Sequence, residues 1–331
     1  MASTSRRAPS HRRRWWLMGC GGIVAVLLAG ALVAVWVFGP YLGFWLIKPS
    51  PQRYAEYAIE RMSNGYEAQG PAWDAARQAA LDAAASAEDY ADTHATLEAA
   101  VKVAGGRHSF FSATPLDEPG ASAQMPSAQH EGGLTTVTLP EAGFTEPETA
   151  QRYADAIADG LSAEAASCGV VVDVRGNNGG TMWPMIAGLS PLLGDGPFMA
   201  FRHRGGQDVE ATIDGGEVKI SGSTQASIER TDRLDVPVAV LTDGMTASSA
   251  EAVVTAFRGQ ERFRTFGAPT AGYSSGNEVV TLPDGAYFAI TTSVYVDRTG
   301  QVYGGPMTPD EEVAPERAPA AAQEWLRGRC G

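Results

Sequence analysis

A serine in the context of a nucleophile lies where an apolar stretch turns into a helical one. Residues 236–242 predict a buried strand, residues 249–257 predict a helix, and Ser248 immediately precedes that helix. The positive end of a helix favours negative charge on such a hydroxyl, and the N–H of Ser249 can bind an oxyanion formed next to it. The pattern fits attack by a serine on a carbonyl carbon, and it also fits a capping box in which Ser248 and Glu251 only begin the helix.

A second strand-to-helix turn is rich in glycine. A β-branched run at 169–174 passes into the sequence RGNNGG at 175–180, and a helix is predicted over 182–193. Such loops expose backbone N–H groups that can hold an anion, so Gly179 and Gly180 are candidates for oxyanion binding. The loop matches neither of the glycine motifs that bind phosphate, and a tight turn without function is the alternative.

The rest of the chain shows which elements must position these turns. Residues 52–104 are rich in Ala, Glu and Asp at helical spacing and predict two or three amphipathic helices, and residues 112–133 predict an exposed loop. From residue 134 the pattern predicts strands over 134–139, 169–174 and 236–242, helices over 148–164, 182–193 and 249–257, and a hairpin joining 279–282 to 287–296. The predicted fold is an α/β core behind a short helical segment.

Composition excludes several classes of function. The 331 residues suffice for one large or two small domains, and the formal net charge is −13. Five arginines but no acidic residue lie before position 48, so the remainder holds 20 basic against 38 acidic residues. So acidic a body is a poor candidate for binding nucleic acid. Three cysteines without a Cys-x-x-Cys pair argue against a disulfide scaffold and a cysteine-rich zinc site.

The N-terminal region predicts a membrane anchor. Residues 15–47 carry no charge, and 15–38 supply 24 residues for a transmembrane helix, which needs about 20. The arginines before it place residues 1–14 in the cytoplasm and the body of the chain outside the cell. The run is too long for a signal peptide, and the sequence LMGC at 17–20 only faintly resembles a lipidation box. In that topology Cys168 and Cys330 face an oxidising space, where they form either a disulfide or two buried thiols.

Five short motifs together resemble those of the tail-specific, or C-terminal processing, serine proteases. In that family's order, they are GRHSFF at 106–111, DVRGNNGG at 173–180, TASSAE at 246–251, GAPTAG at 267–272 and MTPD at 307–310. The resemblance implies a crotonase-like ββα core, a polypeptide substrate, no metal or organic cofactor, and Ser248 as nucleophile. It also implies an oxyanion hole made by the N–H of Ser249 and that of Gly179 or Gly180.

The residue at the position of the general base differs from that of the processing proteases. Their lysine lies 25 residues after the serine, where this chain has Tyr273, and its three lysines (Lys48, Lys102 and Lys219) all precede Ser248. A tyrosine with a pKa of about 10 is a poor base at neutral pH, so Tyr273 is predicted to be a packed aromatic residue. The chain resembles the tricorn-like branch better, which implies His108 as the base, and histidine titrates near pH 6.5.

Two further features of the family remain open or are missing. The acid that orients His108 is unassigned, with Glu278 and Asp310 as the candidates. Only 64 residues separate His108 from Asp173, too few for the PDZ domain that processing proteases carry there. We therefore predict no PDZ domain. The other histidines of the body, His94, His130 and His203, match no motif and are predicted to be structural.

The predicted function is that of a single-pass, membrane-anchored extracytoplasmic serine peptidase. The predicted organisation is a cytoplasmic tail over 1–14, a transmembrane signal anchor over 15–38, a linker and helical segment over 39–105, a protease-like core over 106–315 and a C-terminal tail over 316–331. The alternative is an inactive relative that binds peptides or small ligands, since the family's lysine is absent and the orienting acid is unassigned.

Overall fold

The computed structural model describes residues 48–114, 124–143, 146–161, 168–229 and 233–330, with a few isolated positions between 30 and 39. The predicted cytoplasmic tail and nearly all of the predicted transmembrane helix lie outside these residues. Within the described part of the chain, no helix has the length and apolar character needed to cross a membrane.

Three helices open the described chain, as the amphipathic spacing predicted. They are α1 (Pro51–Met62), α2 (Gly70–Ala85) and α3 (Ala91–Gly105), and a 3₁₀ turn follows at Gly106–His108. Helix α1 begins where the Ser50 hydroxyl accepts a hydrogen bond from the Arg53 N–H, with proline at the first helical position. The helices bury Tyr54 and Leu97 against a sheet, so they form one layer of the body rather than a separate stalk.

A six-stranded sheet carries both of the turns described above. Its order is β13-β10-β9-β4-β3-β2, and all pairs are parallel except β2 on β3. The strands are β2 (Ser127–Glu131), β3 (Leu134–Thr138), β4 (Gly169–Asp173), β9 (Val238–Thr242), β10 (Phe263–Gly267) and β13 (Glu311–Glu312). The central strands β4 and β9 are buried throughout, which explains their continuous apolar sequences. The predicted loop at 112–133 is wrong in part, because residues 127–131 form strand β2.

Helices cover both faces of this sheet. Helices α4 (Pro147–Gly160), α5 (Trp183–Leu193) and α6 (Ser249–Phe257) lie on the side to which Val172 and Val240 point. Helix α7 (Ala318–Arg327) lies on the other side, against Val171 and Leu241. The three predicted helices of the core are therefore confirmed, and α6 begins and ends at the predicted residues.

A largely antiparallel seven-stranded sheet forms the second half of the body. Its order is β1-β12-β5-β6-β7-β8, with β11 also paired to β12. The strands are β1 (Phe110–Ser112), β5 (Gly196–His203), β6 (Asp208–Asp214), β7 (Glu217–Ile220), β8 (Ser223–Ser227), β11 (Ser275–Thr281) and β12 (Tyr287–Asp297). The hairpin of β11 and β12 confirms the predicted one. Strands β5 to β8 were not predicted. Strands β6 to β8 are partly exposed and give no continuous apolar run, whereas β5 has a buried apolar run, at 198–201, that the sequence reading missed.

A disulfide between Cys168 and Cys330 joins the start of β4 to the chain end after α7. It decides between the two states that the sequence left open for these cysteines. The bond closes a loop of 162 residues and holds α7 against the sheet.

Candidate active site

The two turns predicted to carry chemistry meet at one edge of the parallel sheet. Strands β4 and β9 are neighbours in register, with Val172 beside Val240, so their carboxyl ends lie side by side. A Cβ placed on Gly179 would lie 2.9 Å from Ser248 Cβ and 3.4 Å from Ser248 Oγ. The glycine-rich loop therefore rests directly on the Ser248 side chain, and a larger residue at position 179 would displace it.

Ser248 is held in a strained backbone conformation. Its φ is 52° and its ψ is −112°, and among the described residues only Ser221 shares a positive φ outside glycine. Such strain persists where surrounding contacts fix it, and it is typical of a nucleophile presented at a strand-to-helix turn. Here the Ser248 N–H donates to Glu251 Oε2 at 2.9 Å, and the Ala247 N–H donates to the Asn177 carbonyl at 3.0 Å. The predicted capping contact of Glu251 is confirmed.

The three candidate oxyanion donors differ in whether their backbone N–H already has a hydrogen-bond acceptor. The Gly179 N–H donates to Asn177 Oδ1 at 2.8 Å, and the buried Asn177 side chain in turn donates to the Leu139 carbonyl at 2.9 Å. The Ser249 hydroxyl donates to the Gly180 carbonyl at 2.5 Å, which joins the loop to the start of α6. Since the Gly179 N–H already has an acceptor, the N–H groups of Gly180 and Ser249 are the better oxyanion candidates.

Glu251 is a buried carboxylate that links two parts of the site by hydrogen bonds. It accepts hydrogen bonds from five groups: the N–H of Ser248, Gly272 and Tyr273 and the hydroxyls of Thr270 and Ser274. Burial raises the pKa of Glu251, and the hydrogen bonds oppose that shift. The carboxylate thereby ties the Ser248 turn to the 270–274 loop, a role that the capping-box pattern did not reveal.

His108 lies on the 3₁₀ turn and is partly buried. Its Nδ1 atom is 2.8 Å from Ser275 Oγ, and the Asn277 side chain donates to its carbonyl oxygen at 3.0 Å. Burial, followed by the charge of Arg107, lowers the pKa of His108 to about 4. The imidazole is therefore neutral at physiological pH, which is the form that accepts a proton.

Tyr273, at the position of the family's lysine, packs on this histidine. The two ring centroids are 4.9 Å apart, and the Arg107 guanidinium lies 4.7 Å from the Tyr273 ring centroid. The prediction of a packed aromatic residue is confirmed. The hydroxyl group that bonds the His108 ring belongs to Ser275, on β11. No motif in the sequence indicated Ser275.

Neither acid considered for orienting His108 is engaged with it. Glu278 forms an ion pair with Arg61 at 2.5 Å, and Asp310 forms one with Arg258 at 2.7 Å. His94 also has a structural role, as predicted, because its ring bonds Asp284 at 3.1 Å.

A buried tyrosine lies beside the 270–274 loop. Tyr295, on β12, is 3% exposed, and its backbone N–H donates to the Ser274 carbonyl at 3.1 Å. Burial and the nearby Glu251 charge raise the pKa of Tyr295. No motif in the sequence indicated this residue, since only the pairing of β12 brings it to the loop.

The fold and this geometry are those of a mixed α/β protein with a serine at a strained strand-to-helix turn, an arrangement typical of serine hydrolases.

Comparison with known proteins identifies the family. The model of Peptidase family S41 matches residues 134–313. The chain is 33% identical over 316 residues to the nisin-resistance protein of Lactococcus lactis subsp. lactis. The match covers 93% of this chain and 96% of that protein. The chain belongs to peptidase family S41.

Two solved structures share the fold. A lipoprotein from Streptococcus agalactiae superposes with a TM-score of 0.73 at 26% identity, over 86% of this chain and 99% of the other. The photosystem II D1 C-terminal processing protease superposes with a TM-score of 0.57 at 16% identity, over 86% of this chain and 98% of the other. The second comparison supports the fold alone.

Proposed function

We propose that this chain is a membrane-anchored extracytoplasmic serine peptidase in which Ser248 is the nucleophile and His108 the general base. One observation carries the proposal: the strained Ser248 turn rests on the glycine-rich loop, with Gly179 against the serine side chain. Membership of a serine peptidase family supports the same reaction class. A strained serine that only capped a helix would need no such neighbour.

In the proposed reaction, Ser248 Oγ attacks the carbonyl carbon of a peptide bond while its proton passes to His108 Nε2. Nδ1 is engaged by Ser275 Oγ, which fixes the ring and leaves Nε2 as the proton acceptor. The oxyanion accepts hydrogen bonds from the N–H of Gly180 and Ser249. The tetrahedral intermediate then expels the amine, which takes the proton from His108, and water releases the acyl group from Ser248.

A cavity beside His108 suits a side chain of the substrate. It has a volume of about 250 Å³ and is lined by His108, Tyr66, Thr291, Val294 and Val302, among others. Its walls combine apolar side chains with hydroxyl groups and with the charged residues Glu67 and Arg107, so we expect it to accept polar side chains of medium size.

Two features support the proposed location: the apolar N-terminal run and the disulfide. Disulfides persist in oxidising compartments, and Cys168–Cys330 therefore supports a body outside the cytoplasm. The names of the relatives, a lipoprotein and a nisin-resistance protein, agree with a protein of the cell surface. We expect the full chain in the membrane fraction and its body to be digested by protease added to intact cells. Digestion only after lysis would contradict this topology.

The central test is labelling of the full-length chain, in detergent, with a fluorophosphonate probe. We expect the probe on Ser248, no label in Ser248→Ala, and labelling slowed by about 10²-fold or more in His108→Ala. His203→Ala is the matched control, because it removes a histidine that matches no motif of the family and has no predicted role in the reaction. A folded chain that takes no label would overturn the peptidase and favour the ligand-binding alternative.

The substrate class can be approached through the relative's name. Nisin is the first peptide to test, because the 33% identical relative is a nisin-resistance protein. Cleavage of nisin by the wild-type chain, absent in Ser248→Ala, would support a shared substrate. Cleavage of unrelated peptides alone would keep the reaction class and exclude nisin.

A further inference from the structure

Strand β11 presents a row of alternate side chains toward His108 and beyond it. Side chains two residues apart in a strand point to the same side. Ser275 bonds the His108 ring, and the Asn277 side chain bonds the His108 carbonyl oxygen. Val279 is the next residue of this row, and it is 55% exposed. The face of β11 that adjoins the candidate base therefore continues as an exposed apolar surface.

Two aromatic side chains extend this surface. Phe110 of β1 and Val279 of β11 both pair with Ala289 of β12, one from each side, so the three side chains lie on one face of the sheet. Phe110 is 44% exposed, and its ring stands edge-on to that of Tyr287, with centroids 5.9 Å apart. We call Phe110, Val279 and Tyr287 the hairpin patch.

The opposite face of the hairpin is buried. Val280 and Phe288 pack against Leu97 and the other core residues of the three N-terminal helices. The hairpin patch points away from that core, to the side on which Ser275 bonds His108. Packing within the helical layer therefore does not account for the apolar character of the patch.

Large exposed apolar side chains are few on this protein and concentrate near the candidate site. Among the described residues from 48 onward there are four: Phe110, Met125, Met245 and Val279. Met245 lies three positions before Ser248, in the turn that leads to the nucleophile. Single exposed apolar residues are ordinary, whereas a contiguous apolar patch marks a site of interaction. The hairpin patch is contiguous and adjoins the turn that carries His108.

We propose that the hairpin patch binds apolar side chains of the peptide substrate and so determines which peptides are cleaved. The inference rests on the proposed function, because the bound peptide must also reach Ser248 and His108. A peptide fits the patch better than a second copy of the chain does. A stable dimer buries about 1,200 Å² or more, which is more than three side chains provide.

The spacing along β11 gives the proposal a position in the substrate. Ser275 lines the cavity beside His108, and Val279 lies four residues further along the strand. Four residues of a strand span about 13 Å, so an extended peptide with one residue in the cavity places a residue about four positions away on the patch. We therefore expect selection for an apolar side chain at one fixed position, on one side of the scissile bond.

A Phe110→Thr, Val279→Thr double variant tests the patch, since threonine is polar but keeps the preference for a strand. The full-length chain is placed in a lipid nanodisc, because detergent would itself cover an apolar surface. It then digests a mixture of decapeptides of randomised sequence, read by mass spectrometry. We expect the wild type to select an apolar residue at the fixed position and the double variant to lose that selection. For one selected peptide, KM should rise about tenfold with kcat unchanged.

Val209→Thr is the matched control, because Val209 is a partly exposed strand residue on β6, two strands away from β12. It should keep both the selection and the KM of the wild type. The rate of fluorophosphonate labelling at Ser248 should be the same in all three chains, since a small probe does not extend to the patch. Slower labelling of the double variant would mean that the two substitutions disturb the site itself, and it would overturn the proposal.

The outcomes separate this inference from the function on which it rests. A wild type that takes no label at Ser248 overturns both, whereas a labelled double variant that keeps the selection overturns only the role of the patch. Dimers that the double variant abolishes while the selection persists would assign the patch to a second copy instead.

A further measurement leaves the patch unchanged. A selected peptide with a photoreactive phenylalanine at the fixed position should crosslink Ser248→Ala within 110–112, 279–281 or 287–289. Crosslinks elsewhere alone would overturn the proposal.

Discussion

At the scale of single residues, the ionisation of His108 sets the pH range of the proposed reaction. Its pKa is lowered to about 4, first by burial and then by the charge of Arg107. Because the neutral ring is the proton acceptor, we expect kcat/KM to stay level from neutral pH downward and to fall with a midpoint near pH 4. The rate of fluorophosphonate labelling between pH 3 and 8 measures this profile.

Arg107→Gln separates the two causes of the shift. Removing the positive charge raises the pKa of His108, and the larger effect of burial remains, so the midpoint moves upward without reaching 6.5. The folded state also excludes a proton that the unfolded state binds, so stability decreases as the pH falls from about 6.5 toward 4. A wild-type midpoint at 6.5 would contradict the buried environment described for His108.

Gly179 shows how closely the two turns approach each other. In Gly179→Ala the new methyl group would meet Ser248 Cβ at 2.9 Å, and the φ of +121° is one that alanine rarely adopts. We expect labelling of Ser248 to fall by about 10²-fold, since the nucleophile is displaced. Gly205→Ala is the control, with a φ of +94° but open space around it, and should label normally. Full reactivity of Gly179→Ala would show that the loop does not constrain the serine.

At the scale of elements, Glu251 couples helix α6 to the 270–274 loop that precedes β11. Glu251→Gln removes the charge and one acceptor oxygen, leaving buried N–H groups of Gly272 or Tyr273 without a partner. We expect the free energy of unfolding to drop by about 2–4 kcal/mol, because hydrogen bonds to a buried charge are strong. Urea denaturation of the full-length chain measures the loss.

Glu98→Gln is the matched control for that change. Glu98 lies on the exposed face of α3 and pairs with Lys102 one turn later, at 2.6 Å. Such surface pairs contribute about 0.5 kcal/mol or less, so the two variants should differ by severalfold. Equal losses would mean that Glu251 does not hold the two elements together.

At the scale of the whole molecule, the Cys168–Cys330 disulfide connects two distant parts of the sequence. It closes a loop of 162 residues, and a loop of this length restricts the unfolded chain by about 3–5 kcal/mol. We expect the Cys168→Ser, Cys330→Ser double variant to unfold at a lower urea concentration than the wild type. Reductant should destabilise the wild type equally and leave the double variant unchanged. A non-reducing digest without the linked peptide would contradict the disulfide.

The order of the motifs, the alternation of strands and helices in the core and the position of Ser248 could be predicted from the sequence. These features are local: β4 and β9 are buried on both faces and therefore apolar throughout, and Glu251, three residues after Ser248, accepts the Ser248 N–H where α6 begins. The helical segment before residue 106 could be predicted for the same reason, since three amphipathic helices repeat a pattern that each one carries alone.

Which groups surround the reacting atoms depends on the tertiary structure. Ser275 meets His108 across 167 positions of sequence, and the Tyr295 N–H meets the Ser274 carbonyl only because β12 runs beside that loop. The glycine-rich sequence makes the Gly179 N–H a candidate oxyanion donor, but in the structure the Asn177 side chain turns back and accepts from it. Hydrogen bonds between distant residues depend on strand pairing and register, and a serine, an asparagine or a tyrosine has the same local pattern whether or not it finds such a partner.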